Sequence, residues 1–245
     1  GARRLASSEN SSQWAPMRIY AHTDELRKDV SDFSPATLRY LVDDLIPASI
    51  RWLSQTLRVR PVQGPLKFEQ TCSAEFSDGD CSIGSESLSC GLADIPRAHL
   101  KEREICSGSG VCKVSRGGEG IRNADFALYI TYKPRVCGAG VAAFASACRQ
   151  DTNDRPIAGA INLCMLSNSW DEDIALFIHE TMHALGFGTQ MFSFFRNDDG
   201  TPRTPRRGNG FPPMSRGSYV AGTSTVSKAR LQDGTIKHYI VLPRV

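Results

Sequence analysis

His179-Glu180-Thr181-Met182-His183 sets two imidazoles four residues apart, and on an α-helix that spacing stacks them one turn apart on one face. Two convergent imidazole nitrogens begin a zinc site. A glutamate turned about 100° from the first histidine can reach the open side of such a metal and take a proton from water. Zn2+ is therefore the expected cofactor, with His179 and His183 as metal ligands and Glu180 as the catalytic residue. The plain alternative is a surface pair on an amphipathic helix, because a five-residue pattern recurs by chance. Context favours the metal: the pair closes an apolar helix, and Gly186 follows where that helix must stop.

A catalytic zinc takes a third protein ligand. Thr189 stands three residues past Gly186, the first place to look for it. No Glu follows Glu180, which excludes a glutamate further along this sequence; His238, Asp198, Asp199 and Asp233 are what remains. Asp198-Asp199-Gly200 reads as a turn, and His238, between Lys237 and Tyr239, as a half-exposed strand residue. His22 and His99 read as ordinary surface or core residues. The third ligand is thus expected beyond Val245.

The elements that must position the pair are legible from spacing. Ser169 and Glu172 suggest a capping box, with Asp171, Glu172 and Asp173 where the helix dipole favours negative charge. Ile174, Ile178, Met182 and Leu185 form an apolar face, Ala175, His179 and His183 an adjacent face toward a cleft, and Gly186 an αL cap. Ser34 to Val59 has helical spacing, capped by Ser34 with Pro35 in the first turn, and Pro47 breaks or restarts it. Met17–Tyr20, Asp125–Tyr132 and Arg155–Leu163 read as strands, the last an edge strand because of Pro156. Val141–Cys148 is small and apolar, and Ile236–Leu242 reads as a late strand. The expected organisation is residues 1–13 as a disordered or pro-region remnant, 14–188 as an N-terminal catalytic subdomain with a loop-rich cysteine insertion at 71–122, and 189–245 as an insertion and the truncated start of a C-terminal subdomain.

The 245 residues, 40% hydrophobic and 22% charged, suit one large domain or two small ones. A net charge of +3 gives no argument for nucleic acid, and Arg203, Arg206 and Arg207, set among Pro and Gly, read as a solvated loop. No stretch approaches the ~20 apolar residues of a membrane span, so any membrane association is expected from parts outside this chain. The Gly1-Ala2-Arg3-Arg4 start, without Met or an apolar leader, reads as a processed or trimmed piece. Eight cysteines lie between Cys72 and Cys164 with no C-x-x-C pair, which favours disulfides over a second zinc site and leaves about a hundred connectivities open. That points to an oxidising compartment, secreted or cell-surface, with the cytoplasm as runner-up. The sequon Asn10-Ser11-Ser12 agrees.

With these residues in view, His179-Glu180-Thr181-Met182-His183-Ala184-Leu185-Gly186-Phe187 closely resembles the zinc helix of the leishmanolysin family of metzincin peptidases, invadolysin-like members included. The resemblance runs in order from Trp14 to Val245, through Ile46-Pro47-Ala48, Arg60-Pro61-Val62-Gln63-Gly64, Ala124-Asp125-Phe126, Ala147-Cys148-Arg149-Gln150-Asp151 and Arg155 to Cys164. One departure is Met165, where many relatives carry Pro. It implies an α+β, zincin-like metzincin catalytic domain: a twisted mixed sheet packed on helices including the zinc helix, a cysteine-rich loop insertion, and a missing C-terminal part. The Pro/Gly-rich stretch after the zinc helix would be an insertion, and the third zinc histidine would follow it, beyond Val245, with His238 not matching.

The implied activity is zinc-dependent endopeptidase hydrolysis by zinc-activated water with Glu180 as general base, this chain being inactive alone for want of the third ligand. Protein or peptide substrates would bind extended, antiparallel to an edge strand near Ile157–Leu163. The rival is a non-catalytic cell-surface adhesion or interaction module with a vestigial zinc helix. A disused site has no physical reason to keep both histidines and the glutamate, which disfavours it.

Overall fold

Phe126, Leu128 and Ile130 alternate with Ala127, Tyr129 and Thr131, and neither set is polar enough to face water. Such a strand belongs inside a sheet covered on both sides. A computed structural model describes residues 14–28, 34–77, 80–84, 88–107, 110–167 and 169–241; the expectations for residues 1–13 and the Asn10 sequon lie outside these. The central sheet has four strands, β1 (Ile19–His22), β2 (Phe126–Tyr132), β3 (Ala143–Gln150) and β4 (Pro156–Leu163), in the order β3-β4-β2-β1. β2 runs parallel to β1 and β4, and β3 runs antiparallel to β4.

One strand expectation needs correction. β4 is interior, paired with β2 on one side and β3 on the other; Pro156 is tolerated because it is the first residue of the strand. The edge beside it is β3, the other edge being β1; the Ala-, Ser- and Cys-rich sequence of β3 has weak strand preference and takes its conformation from pairing with β4. Its ladder shifts register between Ala147 and Arg149, which leaves Cys148 as the extra residue of a bulge.

One face of the sheet is covered by helices. The short α1 (Asp24–Lys28) precedes α2 (Pro35–Arg39), a π-helical turn (Tyr40–Leu45) and α3 (Ile46–Thr56). Ser34 caps α2 as expected, its Oγ accepting from Thr37 N at 3.1 Å. Pro47 widens the helix rather than breaking it: it offers no N–H to Asp43 and its ring crowds that carbonyl, so the turn before it becomes π. Leu26, Leu41, Leu45, Ile46, Phe126, Leu128, Ile130, Ile161, Leu163 and Phe177 form the core beneath these helices.

The other face carries the cysteine-rich segment. It is built of three hairpins rather than loops: Cys72–Glu75 with Cys81–Gly84, Ser89–Cys90 with Ala93–Asp94, and Arg103–Cys106 with Cys112–Ser115. Cys72–Cys81 and Cys106–Cys112 staple two of them, Cys90–Cys148 ties the third to β3, and Cys137–Cys164 ties the loop after β2 to the end of β4. Leu66, Phe68, Leu88, Ile95, Leu100 and Ile121 close over Ala127, Tyr129, Ala158 and Ala160.

Asp125 fixes the start of the sheet. Fully buried, it accepts from the backbone N–H groups of Arg18 (2.9 Å) and Val62 (2.7 Å) and from the Arg18 guanidinium at 2.6 and 2.9 Å. Burial pushes its carboxyl up, but the Arg18 and Val62 bonds outweigh it and hold the group below its ordinary value.

After the last helix, Arg206 corrects the solvated-loop expectation. Its guanidinium donates to Asp154 (2.7 Å) and Ser193 O (2.8 Å) and lies over Phe194, while Arg196 reaches the same carboxylate. The hairpin Val226–Arg230 with Ile236–Ile240 ends the described chain. No helix among the described residues is long and apolar enough to cross a membrane.

Candidate active site

The histidines ride on α4 (Trp170–Ala184), which packs against β3, β4 and α3. Its N-terminus departs from the capping-box expectation: the Ser169 side chain makes no cap bond. Asp173, one turn in, accepts instead from Ser167 N (2.8 Å), Ser167 Oγ (2.9 Å) and Tyr40 Oη (2.9 Å). Burial and the bond to Asp173 push the Tyr40 phenol up to about 12.

The buried stripe is Asp173, Phe177, Glu180, Thr181 and Ala184, turned from the expected Ile174–Ile178–Met182–Leu185 face. Ile174 and Leu185 do pack on the core as half-buried neighbours, whereas Ile178 and Met182 are not part of it. The closest approach to the sheet selects small residues. A Cβ built on Gly159 of β4 would lie 2.8 Å from Ala184 Cβ and 3.0 Å from Phe126 Cζ, so glycine there lets the C-terminal turn of α4 reach the sheet.

Gly186 ends the helix as expected, with φ +108°. Gly186 N donates to His183 O and Phe187 N to Met182 O, both at 3.0 Å, the paired bonds of a Schellman turn. That turn swings the Phe187 carbonyl back over the helix end, 2.7 Å from His183 Nδ1. A carbonyl only accepts, so His183 Nδ1 is the donor, and in the neutral ring Nε2 is then the bare nitrogen. His179 Nε2 lies 3.1 Å from His183 Nε2, with the rings nearly perpendicular at 4.7 Å between centroids.

Glu180 completes the group: ligand atoms of His179, Glu180 and His183 lie within 4.8 Å of one another. Burial raises the Glu180 carboxyl above its ordinary value, and the two imidazoles partly oppose that. The donor set fits zinc. Two Zn–N bonds of about 2.05 Å at a tetrahedral angle span about 3.3 Å between nitrogens, close to the separation the helix imposes. The second group of potential ligands, Asp80 with Cys106 and Cys112, is accounted for by the Cys106–Cys112 disulfide.

The other histidines and aspartates stand apart from this group among the described residues. His238 pairs with Lys228 on an exposed strand, and Asp199 serves a turn, accepting from Thr201 N at 2.8 Å. A cleft of about 1080 Å³ lined by Trp14, Arg60, Lys67, Asp151, Arg155 and Asp199, among others, includes none of the three site residues. Sequence reasoning missed the Phe187 carbonyl and Gly159. The first was implicit in Gly186, because a Schellman turn must bring that carbonyl back.

Comparison with known proteins agrees with this geometry. A family model described as leishmanolysin matches residues 97–236, more than half of the chain. A leishmanolysin-like peptidase of Caenorhabditis elegans is 32% identical over 249 residues, covering 92% of this chain and 37% of the relative. A ciliated left-right organizer metallopeptidase of Mus musculus is 36% identical over 60% of this chain and 24% of its own length. Leishmanolysin of Leishmania major is 27% identical over 79% of this chain and 26% of its own length. The chain therefore spans about a third of the curated relatives it matches, or less.

Proposed function

Because this chain belongs to the leishmanolysin family of metallopeptidases, we propose that it carries the zinc helix of an endopeptidase, with His179 and His183 as ligands and Glu180 as general base. The observation behind this reading is the pair of Nε2 atoms 3.1 Å apart, one held in its metal-binding tautomer by Phe187 O. Zinc, when bound, supplies Lewis acidity toward the scissile carbonyl and lowers the pKa of water toward about 7. Glu180 would act as general base toward the attacking water and pass the proton to the leaving amine. Its burial favours this work, since a carboxylate with a raised pKa is the stronger base.

The substrate is a protein or peptide bound in extended form along the edge of β3 that is unpaired among the described residues. β4 cannot serve, because both its edges are taken. β3 packs against α4, so a strand added there runs near the imidazoles and gains main-chain hydrogen bonds. The four disulfides fit an extracellular or secreted setting and count against the cytoplasm.

Two imidazoles are one protein ligand short of a catalytic zinc site, so the 245-residue chain is expected to hold zinc weakly and to show little turnover. Zinc competition and cobalt absorption test the assignment. His183→Ala should abolish metal binding, whereas Glu180→Gln should keep affinity within about threefold and lower turnover of the active protein by about 10² or more. If Glu180→Gln loses metal as fully as His183→Ala, the glutamate is a ligand and the general-base role fails. Tight stoichiometric zinc in this chain alone would place the third ligand within it.

A further inference from the structure

On the hairpin face of the sheet, away from α4, two buried histidines meet across the junction between the layers. His22 ends β1, and His99 ends the 3₁₀ turn Arg97–His99 of the cysteine-rich segment; they are 3% and 8% exposed. Their rings meet edge to face at 5.5 Å. Tyr129 of β2 lies 5.2 Å from the first and 6.0 Å from the second, and Tyr20 meets His99 edge-on at 5.6 Å.

His99 Nδ1 is 2.8 Å from Tyr129 Oη, a bond that neutral partners satisfy in either direction. His22 Nδ1 is buried with no hydrogen-bond partner among the described residues. A proton placed there finds no acceptor, and two imidazolium rings at this distance repel in a poorly solvated space.

The surrounding charges do not offset that cost. On α1, Asp24 and Glu25 favour the protonated ring, but Asp24 is exposed and Glu25 is held by Lys28 at 2.6 Å, whose charge opposes protonation, and burial outweighs both carboxylates. Across the sheet, Arg149 of β3 is half-buried near Tyr129 and has no ion pair among the described residues. The remaining titratable groups against the pair are the two phenols, Tyr20 and Tyr129, whose ionisation burial pushes higher.

His99 also holds the hairpin layer together through its backbone. Its carbonyl accepts from Phe68 N (2.9 Å), Lys101 N donates to Phe68 O (2.8 Å), and Gly118 N and Gly120 N donate to Leu100 O and Ala98 O (2.9 and 2.8 Å). The packing there is backbone on backbone, since a Cβ on Gly118 would fall 2.3 Å from Ala98 Cα.

We propose that His22 and His99 form an acid-released latch: neutral, they lock the Arg97–Lys101 turn and the cysteine-rich hairpins onto the sheet, and protonation frees that layer while the helix layer stays folded. Burial lowers both imidazoles, His99 to about 4 with the neighbouring His22 adding to the effect. A depressed folded pKa means the neutral form is favoured by folding. The latch is therefore fully set above the ordinary value of 6.5 and lost as pH falls toward about 4. Cys90–Cys148 keeps the freed layer tethered to β3, so the event is a local opening.

Amide hydrogen exchange of the whole chain at about pH 7.4 and pH 5, corrected for intrinsic rates, reads the latch directly. Residues 66–68 and 97–120 should exchange about tenfold faster at the lower pH, with residues 46–56 of α3 unchanged. His22→Gln with His99→Gln should remove that acid response to within about twofold. Should those variants not fold, NMR titration of the two imidazoles in the unaltered chain still decides, both being expected to titrate below 6.5. Titration at or above 6.5, uniform loosening of both layers, or an acid response that survives both substitutions would overturn the latch.

Discussion

The two faces of one sheet are secured by different physics. Beneath the helices, β2 and β4 present Phe126, Leu128, Ile130, Ile161 and Leu163, and α4 answers with Phe177 and Ala184. Large apolar side chains interlock there, and their removal from water supplies about 25 cal/mol per Å². Beneath the hairpins the same strands present Ala127, Ala158 and Ala160 beside Tyr129. Gly91 sits so close that a Cβ on it would lie 2.6 Å from Ala160 Cβ. A floor of alanines buries little area per residue, so beside the apolar cover of Leu66, Phe68, Leu88, Ile95, Leu100 and Ile121 that layer also relies on disulfides and on buried rings with polar atoms. The His179–Glu180–His183 group stands on the layer held by apolar burial, where opening of the other layer disturbs it least.

Substitutions that remove one kind of support should separate the layers. Phe177→Ala has the largest expected effect: a fully buried phenyl at the centre of the helix face should cost about 3–5 kcal/mol of global stability, read from the denaturant midpoint. A loss below about 1 kcal/mol would mean that α4 is held by something other than burial. Replacing Cys90 and Cys148 by Ser opens a bridge across 58 residues and should cost about 2–4 kcal/mol. That loss should concentrate in hydrogen exchange of the hairpins, with α4 keeping its protection. Equal loosening of both layers would break the distinction.

The same contrast explains what the sequence made legible. The histidine-bearing helix α4, its Gly186 stop, the Ser34 cap and β2 follow from local rules: i,i+4 spacing, positive φ at a C-terminus, side-chain capping and unbroken apolarity. β3 did not announce itself, because Ala143 to Gln150 has no strand period and is set by its partner. Nor did the hairpins, whose pairing rests on disulfides that spacing leaves open. Pro156 misled in the opposite sense: a proline at the first residue of a strand says nothing about the edge. The buried face of α4 was misjudged by following apolarity alone, because Asp173, Glu180 and Thr181 are buried beside Phe177 and Ala184. At the site, His179, Glu180 and His183 are brought together as their spacing implies. Phe187 entered only through backbone geometry, which residue types do not display.

Local rules also fail within the helix layer, and the smallest expected effect measures where. Ser34 and Ser169 both precede helices and both resemble N-caps. Ser34 Oγ takes the Thr37 N–H, so Ser34→Ala should cost about 1 kcal/mol. Ser169 makes no such bond, and its end of α4 is organised by Asp173, which gathers Ser167 and Tyr40 from outside the helix. Ser169→Ala should therefore stay within about 0.5 kcal/mol. Thermal or denaturant unfolding of the two single variants compares them directly. If Ser169→Ala costs as much as Ser34→Ala, the capping motif governs both ends and Asp173 is redundant. If only Ser34→Ala registers, tertiary bonds have displaced the local rule on the very helix that carries the histidines.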